Sequence, residues 1–135
     1  MKKPLFAIAA AAGALMVATT PAQAETRQER SEARLAERLE GRVAGEPRSC
    51  ITAYHSNRLE VMPHVGLVYE KGDTIFVARA QNPRHLSYND IPVFERASSR
   101  LCKMDVIRTV DRSTQFTTGA LFLEDFVPYT KVDKG

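Results

Sequence analysis

Four apolar side chains recur at helical spacing between residues 25 and 45 and would form one stripe along a helix. They are Leu35, Ala36, Leu39 and Val43. Thr26, followed three residues later by Glu29, fits a capping box, in which each side chain bonds to the backbone N–H of the other residue. The pattern therefore predicts an amphipathic N-terminal helix over 25–45, which Gly41 or Gly45 can end.

The predicted helix carries its charges in a sorted order. Four arginines are spaced four residues apart along one flank of the apolar stripe: Arg30, Arg34, Arg38 and Arg42. Like charges at this spacing repel one another unless an anionic group faces them. We interpret this arginine flank as a contact for an acidic polymer, lipid headgroups or an acidic partner. The alternative is a solvated face whose arginines pair with Glu37 and neighbouring glutamates.

From Ser49 onward the apolar pattern changes to period two, which is typical of strands. A short strand begins at Cys50. Residues 65–70 and 74–80 predict a hairpin whose turn contains Gly72, a residue that readily takes a positive φ. Further strands are predicted at 91–94, 103–110 and 119–127, and the polar stretch 81–92 reads as an exposed loop.

These elements predict an α+β fold, with an N-terminal amphipathic helix followed by a small antiparallel β-sheet of about five strands. Each strand is half apolar by alternation, which suits a sheet with one covered face. The helix is free to cover that face.

Residues 1–24 predict a cleavable signal peptide. Lys2 and Lys3 precede a short apolar run, and Ala22-Gln23-Ala24 supplies the small-residue cleavage site. The apolar run is shorter than the roughly 20 residues that cross a bilayer, so we expect no transmembrane segment. We expect one disulfide-bonded domain, residues 25–135, in the periplasm or secreted.

Removing the leader also changes the charge balance. Taking Lys2 and Lys3 from the 19 basic residues leaves 17 against 16 acidic ones, a net charge of about +1 instead of +3. The chain has no basic block interleaved with aromatic residues, so nucleic acid is not an expected partner.

Cys50 and Cys102 are the only two cysteines. In an oxidising compartment a lone pair usually forms a disulfide. The two residues are not in a C-x-x-C motif, which favours a structural bond over a redox-active or catalytic thiol.

The residue types that carry chemistry form no recognisable motif. His55, His64 and His85 match no ligand spacing of a zinc site, so we predict no metal and no cofactor. The serines lie outside the G-x-S-x-G and S-x-x-K patterns, and no catalytic residue is assigned. Glu124 and Asp125, as consecutive strand residues, would face opposite ways and could not serve one glycosidase site.

The polar loop 81–90 is the richest cluster of side chains that are common at interfaces. It contains Arg84, His85 and Tyr88. Loops on a rigid sheet often carry binding residues, which makes these three a possible contact surface. The alternative is a connecting loop built from turn-forming residues.

Several short segments carry a resemblance to a known group. They are Arg34-Leu35-Ala36 with Leu39, the run 41–45, Pro47, Ser49-Cys50-Ile51, Leu101-Cys102, Val110-Asp111-Arg112 and the run 125–130. These segments are spread over most of the chain after residue 24, and the chain resembles small uncharacterised exported proteins of alphaproteobacteria. The resemblance implies an envelope location and paired cysteines. It implies no activity, cofactor or catalytic residue.

The sequence thus favours a non-enzymatic periplasmic or secreted domain that binds another envelope protein or an anionic envelope component. Either the arginine flank or the 81–90 loop would make the contact. The alternative is a small periplasmic hydrolase or thiol-dependent enzyme that uses a histidine with a serine or a free cysteine. The oligomeric state is not predicted by any pattern in the chain.

Overall fold

The computed structural model describes residues 23–54, 58–95 and 98–132. The predicted signal peptide lies outside these ranges except for Gln23 and Ala24, and His55 also lies outside them. None of the helices in the described ranges has the length and apolar character needed to cross a membrane.

The N-terminal helix, α1 (Arg27–Arg38), begins at the predicted capping box. Thr26 Oγ1 accepts a hydrogen bond from the Glu29 N–H at 3.1 Å, and the Glu29 carboxylate accepts one from the Thr26 N–H at 2.7 Å. The helix stops at Leu39, well before residue 45. Gly41 takes a left-handed φ of 74°, which turns the chain out of the helix. Of the two predicted ends, Gly41 is the correct one.

Ten strands follow in the described residues, about twice the predicted number. They are β1 (Arg42–Ala44), β2 (Cys50–Thr52), β3 (Leu59–Met62), β4 (Gly66–Lys71), β5 (Thr74–Ala80), β6 (Asp90–Phe94), β7 (Arg100–Cys102), β8 (Ile107–Asp111), β9 (Thr117–Leu121) and β10 (Leu123–Lys131). A short 3-10 turn, Pro83–His85, lies between β5 and β6.

The strands form three antiparallel sheets. The largest has the order β1-β10-β5-β4-β3, the second has the order β6-β8-β9, and β2 pairs with β7 in a two-stranded ribbon. The predicted hairpin is confirmed as β4 and β5 near the middle of the large sheet. Its turn contains Gly72 with a φ of 57°, as the pattern predicted.

The predicted α+β arrangement led by an N-terminal helix is wrong. The residues that the structure describes are mostly β, with 49% strand against 15% helix and three sheets. β1 lies inside the segment predicted as helix, and β3 lies in a segment where no strand was predicted. The predicted strand 119–127 is divided between β9 and β10, which are separated by Phe122. The predicted strand 103–110 is confirmed only from Ile107, where β8 begins.

Both faces of the large sheet are covered, whereas the strand pattern predicted one. On one face, Leu35 of α1 enters a buried cluster with side chains from the strands and their turns: Met62, Val65, Val68, Ile75 and Val77. On the other face, a larger cluster joins the large sheet to the other two. Its members include Leu67, Tyr69, Phe126, Ile51, Leu101, Ile107 and Leu121. β4 contributes buried side chains to both clusters, so the large sheet is the middle layer of the fold.

The predicted disulfide between Cys50 and Cys102 is confirmed, with an S–S distance of 2.06 Å. The two cysteines lie directly opposite each other in the register of β2 and β7. The next pair in that register, Ile51 and Leu101, is buried in the larger cluster. The bond therefore ties the ribbon together beside the core.

Candidate functional site

A cleft of about 440 Å³ lies between α1 and the chain that follows β5. We call it the arginine cleft. One wall is a face of α1, the opposite wall is the 3-10 turn with the residues after it, and the turn between β3 and β4 completes it. The lining residues are Arg27, Arg30, Ser31, Arg34, Pro63, His64, Arg84, His85, Leu86, Ser87 and Tyr88.

The arginine cleft brings together most of the contact residues that the sequence predicted. They are Arg30 and Arg34 of the arginine flank, and Arg84, His85 and Tyr88 of the loop. The sequence treated the flank and the loop as separate candidates. In the folded protein they form two walls of one site.

The helical wall follows from the spacing of its residues. Arg27, Arg30, Ser31 and Arg34 lie three or four positions apart, so they share one face of α1. Leu35 is 3% exposed and buried against the large sheet, which fixes the rotation of the helix. Ser31, on the same face, is also buried. The arginines beside it consequently face the loop wall.

A direct contact joins the two walls. The Arg34 guanidinium lies 5.3 Å from the centre of the Tyr88 ring, within cation–π range. Arg34 Nη1 also donates a hydrogen bond to the Tyr88 hydroxyl. This pair sets the separation of the walls at one end of the cleft.

The loop wall is anchored to the rest of the fold. Leu86 is buried in the larger cluster. The buried Asp90 carboxylate accepts hydrogen bonds from the Ser87 N–H and the Thr118 hydroxyl, each at 2.8 Å. His85 lies over Gly119, where an added Cβ would be 3.4 Å from the imidazole. Burial of Leu86 and the hydrogen bonds of Asp90 thus hold the loop wall in a fixed position on the rest of the fold.

The lining of the arginine cleft holds four arginines, two histidines and no acidic residue. In the part of the chain that the structure describes, Arg27 and Arg84 form no ion pair. Arg30 lies 3.8 Å from Glu25, with both side chains more than half exposed. Such a long, solvent-exposed pair contributes little. The cleft therefore keeps a local positive charge.

The remaining two arginines of the predicted flank lie elsewhere. Arg38 pairs with Glu60 at 2.8 Å and with Glu70 at 3.5 Å, both on the large sheet. Arg42 is in β1, because the helix has already ended, and it donates a hydrogen bond to the Asp73 carbonyl. The predicted row of four arginines on one helix is wrong. The alternative, pairing with Glu37 and neighbouring glutamates, is confirmed in part: Arg30 pairs with Glu25, and no ion pair to Glu37 is present among the described residues.

Sheet residues also bind α1 from its other side. Arg79 of β5 lies 2.6 Å from the Glu32 carboxylate. This hydrogen bond, opposed in part by burial, raises the pKa of the Arg79 guanidinium above its usual value. α1 is thereby held to the sheet by charged contacts next to the wall it forms.

His64 has an unusual backbone conformation in the arginine cleft. Its φ is 59°, and the Val65 N–H donates to the Met62 carbonyl at 3.1 Å across the turn. With Pro63 before it, His64 occupies the turn position where glycine is usual. A non-glycine residue there costs about 1 kcal/mol or more, and such strain concentrates at functional sites. From the sequence, His64 was considered as a metal ligand and as a catalytic histidine, and its place in a turn was not predicted.

Nucleophilic catalysis in the cleft would need a nucleophile within hydrogen-bond reach of a base. His64 and His85 line it together with Ser31 and Ser87. Among the described residues, neither imidazole is hydrogen-bonded to a serine hydroxyl, as activation of a nucleophile requires. Because Cys50 and Cys102 are bonded to each other, neither offers a free thiol. Within the described ranges no three potential metal ligands cluster.

The prediction that Glu124 and Asp125 face opposite ways assumes regular strand alternation, which is interrupted at these two residues. β10 is irregular between Leu123 and Phe126. As a result, both acidic residues line a second depression, of about 570 Å³. Asp125 is ion-paired with Lys103 at 2.7 Å in that depression. One of the two carboxylates is therefore committed to a structural contact.

Comparisons with protein-family models, with curated proteins and with solved structures find no match for this chain. The candidate site is accordingly interpreted from its own geometry and charge.

Proposed function

We propose that this protein is a non-enzymatic binding domain, periplasmic or secreted, that holds an anionic envelope component in the arginine cleft. One observation carries the proposal. Arg27, Arg30 and Arg34 of α1 face Arg84 of the loop wall around a cleft that no carboxylate lines.

Arginine suits this function better than any other side chain. Its guanidinium stays protonated and offers five N–H donors in a planar fork that matches carboxylate and phosphate groups. Hydrogen bonds from it to an anion are charge-assisted and therefore strong. The four guanidiniums, of which only Arg30 has a long and exposed ion pair among the described residues, repel one another, and a bound anion relieves that repulsion.

The positive charge is a local feature of the cleft. After the predicted leader is removed, the chain has a net charge of only about +1. A nearly neutral chain with one cationic cleft favours recognition of an anion at that place over general attraction to polyanions.

The envelope location is supported by two features of the chain. The first is the charged, apolar and small-residue pattern of residues 1–24. The second is the disulfide between Cys50 and Cys102, since such bonds persist mainly in oxidising compartments.

Affinity electrophoresis tests the proposal with dextran sulfate as the anionic probe and dextran as the neutral one. The protein should be retarded by dextran sulfate and not by dextran. The test variant is Arg27→Gln/Arg84→Gln, because neither side chain has an ion pair within the described residues and its removal should leave the fold intact. It should lose most of the retardation.

The matched control is Arg100→Gln. Arg100 is exposed on β7, outside the arginine cleft. This variant should be retarded as strongly as the parent protein. Equal retardation of the double variant and the parent would show that the cleft is not the anion site, and the proposal would fail.

A further inference from the structure

We propose that the ligand of the arginine cleft is a sugar phosphate whose phosphate monoester is bound between the guanidiniums of α1 and Arg84. This inference rests on the proposed function and specifies the chemistry of the anion. Nothing in it requires a chemical step, because the ligand is bound and released unchanged.

The number and type of charges favour a phosphate monoester over a carboxylate. A phosphate monoester carries a charge of about −1.5 to −2 at neutral pH and three strong acceptor oxygens. A carboxylate has one negative charge and two oxygens, which would leave most of the four guanidiniums unmatched. The lining contains arginine and no lysine, and arginine is the residue that recognises phosphate through paired hydrogen bonds.

The size of the cleft requires a ligand larger than a bare ion. Its volume of about 440 Å³ lies in the range of sites for small organic molecules, about 300 to 1,000 Å³. A phosphate group bound to the arginines would leave room for a body of moderate size.

The remaining lining residues suit a sugar as that body. Ser31, Ser87 and Tyr88 provide hydroxyl groups, and Pro63 and Leu86 provide small apolar surfaces. A sugar ring presents the matching combination of hydroxyl groups and C–H faces. An acyl chain would require a longer apolar lining than two residues supply.

The strained backbone of His64 is a second, independent observation at the same place. Its φ of 59° holds an imidazole in the cleft at a position where glycine would be easier to accommodate. Strain of this kind clusters at functional sites. We assign that role to a hydrogen bond between the imidazole and the ligand.

Isothermal titration calorimetry tests the inference with four soluble probes: glucosamine 1-phosphate, inorganic phosphate, glucuronate and glucose. Glucosamine 1-phosphate should bind at least about tenfold more tightly than either phosphate or glucuronate, and glucose should not bind. The Arg27→Gln/Arg84→Gln variant should weaken binding by about 100-fold or more, since two charge-assisted contacts are lost. Arg100→Gln should change nothing.

Arg84→Lys separates charge from geometry. It keeps the positive charge and removes the planar fork, so it should weaken glucosamine 1-phosphate binding by about tenfold. Unchanged affinity would overturn the paired-hydrogen-bond reading. The melting temperature of every variant is measured alongside, so that a loss of folding is not read as a loss of binding.

The ligand could be a free sugar phosphate or the headgroup of a glycolipid. Phosphatidylcholine vesicles that carry a monophosphorylated glucosamine disaccharide lipid distinguish the two sources. If the protein binds these vesicles and soluble glucosamine 1-phosphate competes with that binding, the ligand is the lipid-borne form. Binding of the soluble probe alone would identify the free form.

The possible failures are distinguishable. Glucuronate or inorganic phosphate binding as tightly as glucosamine 1-phosphate would overturn the sugar phosphate inference and leave the proposed function in place. Absence of binding to all four probes, with retained retardation by dextran sulfate, would also overturn only the inference. Absence of both would overturn the proposed function as well.

Discussion

Removal of the Cys50–Cys102 bond should lower the free energy of unfolding by about 4 kcal/mol. The bond joins residues separated by 52 positions. Closing a loop of that length restricts the unfolded chain by about 4 kcal/mol at 25 °C in the chain-entropy model. A small domain has only about 5 to 15 kcal/mol in total, so the loss is a large share of the stability.

The structure shows where the effect should appear. The ribbon of β2 and β7 contains only three residue pairs, and its middle pair, Ile51 and Leu101, belongs to the larger core cluster. Without the bond, this short ribbon must stay paired through packing and hydrogen bonds alone. We therefore expect a melting temperature lower by about 15 °C, at roughly 4 °C per kcal/mol for a domain of this size.

The assay is urea unfolding of residues 25–135, monitored by tyrosine fluorescence and circular dichroism. The disulfide-bonded protein is compared with the Cys50→Ala/Cys102→Ala variant and with the reduced, alkylated protein. The two modified forms should agree with each other and differ from the parent by about 4 kcal/mol. A difference below about 1 kcal/mol would refute the reasoning, because the bond would then not restrict the conformational freedom of the unfolded chain as the model requires.

Three further perturbations have definite expected outcomes. Gly66→Ala should destabilise the protein by about 3 kcal/mol in urea unfolding, because a Cβ would lie 2.2 Å from the Ala78 carbonyl oxygen and 2.6 Å from a second backbone atom; a loss below about 1 kcal/mol would contradict this. His64→Gly should raise the free energy of unfolding by about 0.5 kcal/mol and weaken binding of glucosamine 1-phosphate, and a destabilised variant would contradict the strain. Asp111→Asn should destabilise the protein at neutral pH, because hydrogen bonds from Thr114 and Ser113 lower the pKa of the Asp111 carboxyl below its usual 3.8. A carboxyl group with a lowered pKa stabilises the folded protein at pH values above 3.8, and this stabilisation is lost as the pH falls through the folded-state pKa. The difference in the free energy of unfolding between the two proteins should therefore vanish in strong acid. A difference that stays constant across pH would contradict this prediction.

Local signals in the sequence were sufficient for several elements. The Thr26 and Glu29 capping box, the hairpin around Gly72 and the Cys50–Cys102 bond all follow from short patterns or from the compartment. The capping box and the hairpin depend on residues that are close in sequence. The disulfide could be predicted because the chain has only two cysteines to pair.

The short strands could not be predicted because their partners are distant. β1 continues the apolar spacing of the helix and becomes a strand through pairing with β10, at the other end of the chain. β3 has four residues and is a strand because β4 lies beside it. For such segments, tertiary context decides the conformation and local propensity does not.

The arginine cleft was predicted in pieces and not as a site. The arginine flank and the 81–90 loop were each identified, but the contact between Arg34 and Tyr88 joins residues 54 positions apart. No periodicity encodes such a meeting. Arg42 is not part of the cleft because the helix ends before it. Arg38 is not part of it either, because it forms ion pairs with two glutamates of the large sheet.

The most direct test of the central claim is an NMR titration of the isotope-labelled protein with glucosamine 1-phosphate. We predict saturable chemical-shift changes at the guanidinium N–H groups of Arg27, Arg34 and Arg84 and at the backbone amides around Ser31. The resonances of Arg100 should stay unchanged. Saturable shifts centred on another surface would contradict the assignment of the arginine cleft as the binding site. Absence of any saturable shift would contradict the sugar phosphate as its ligand.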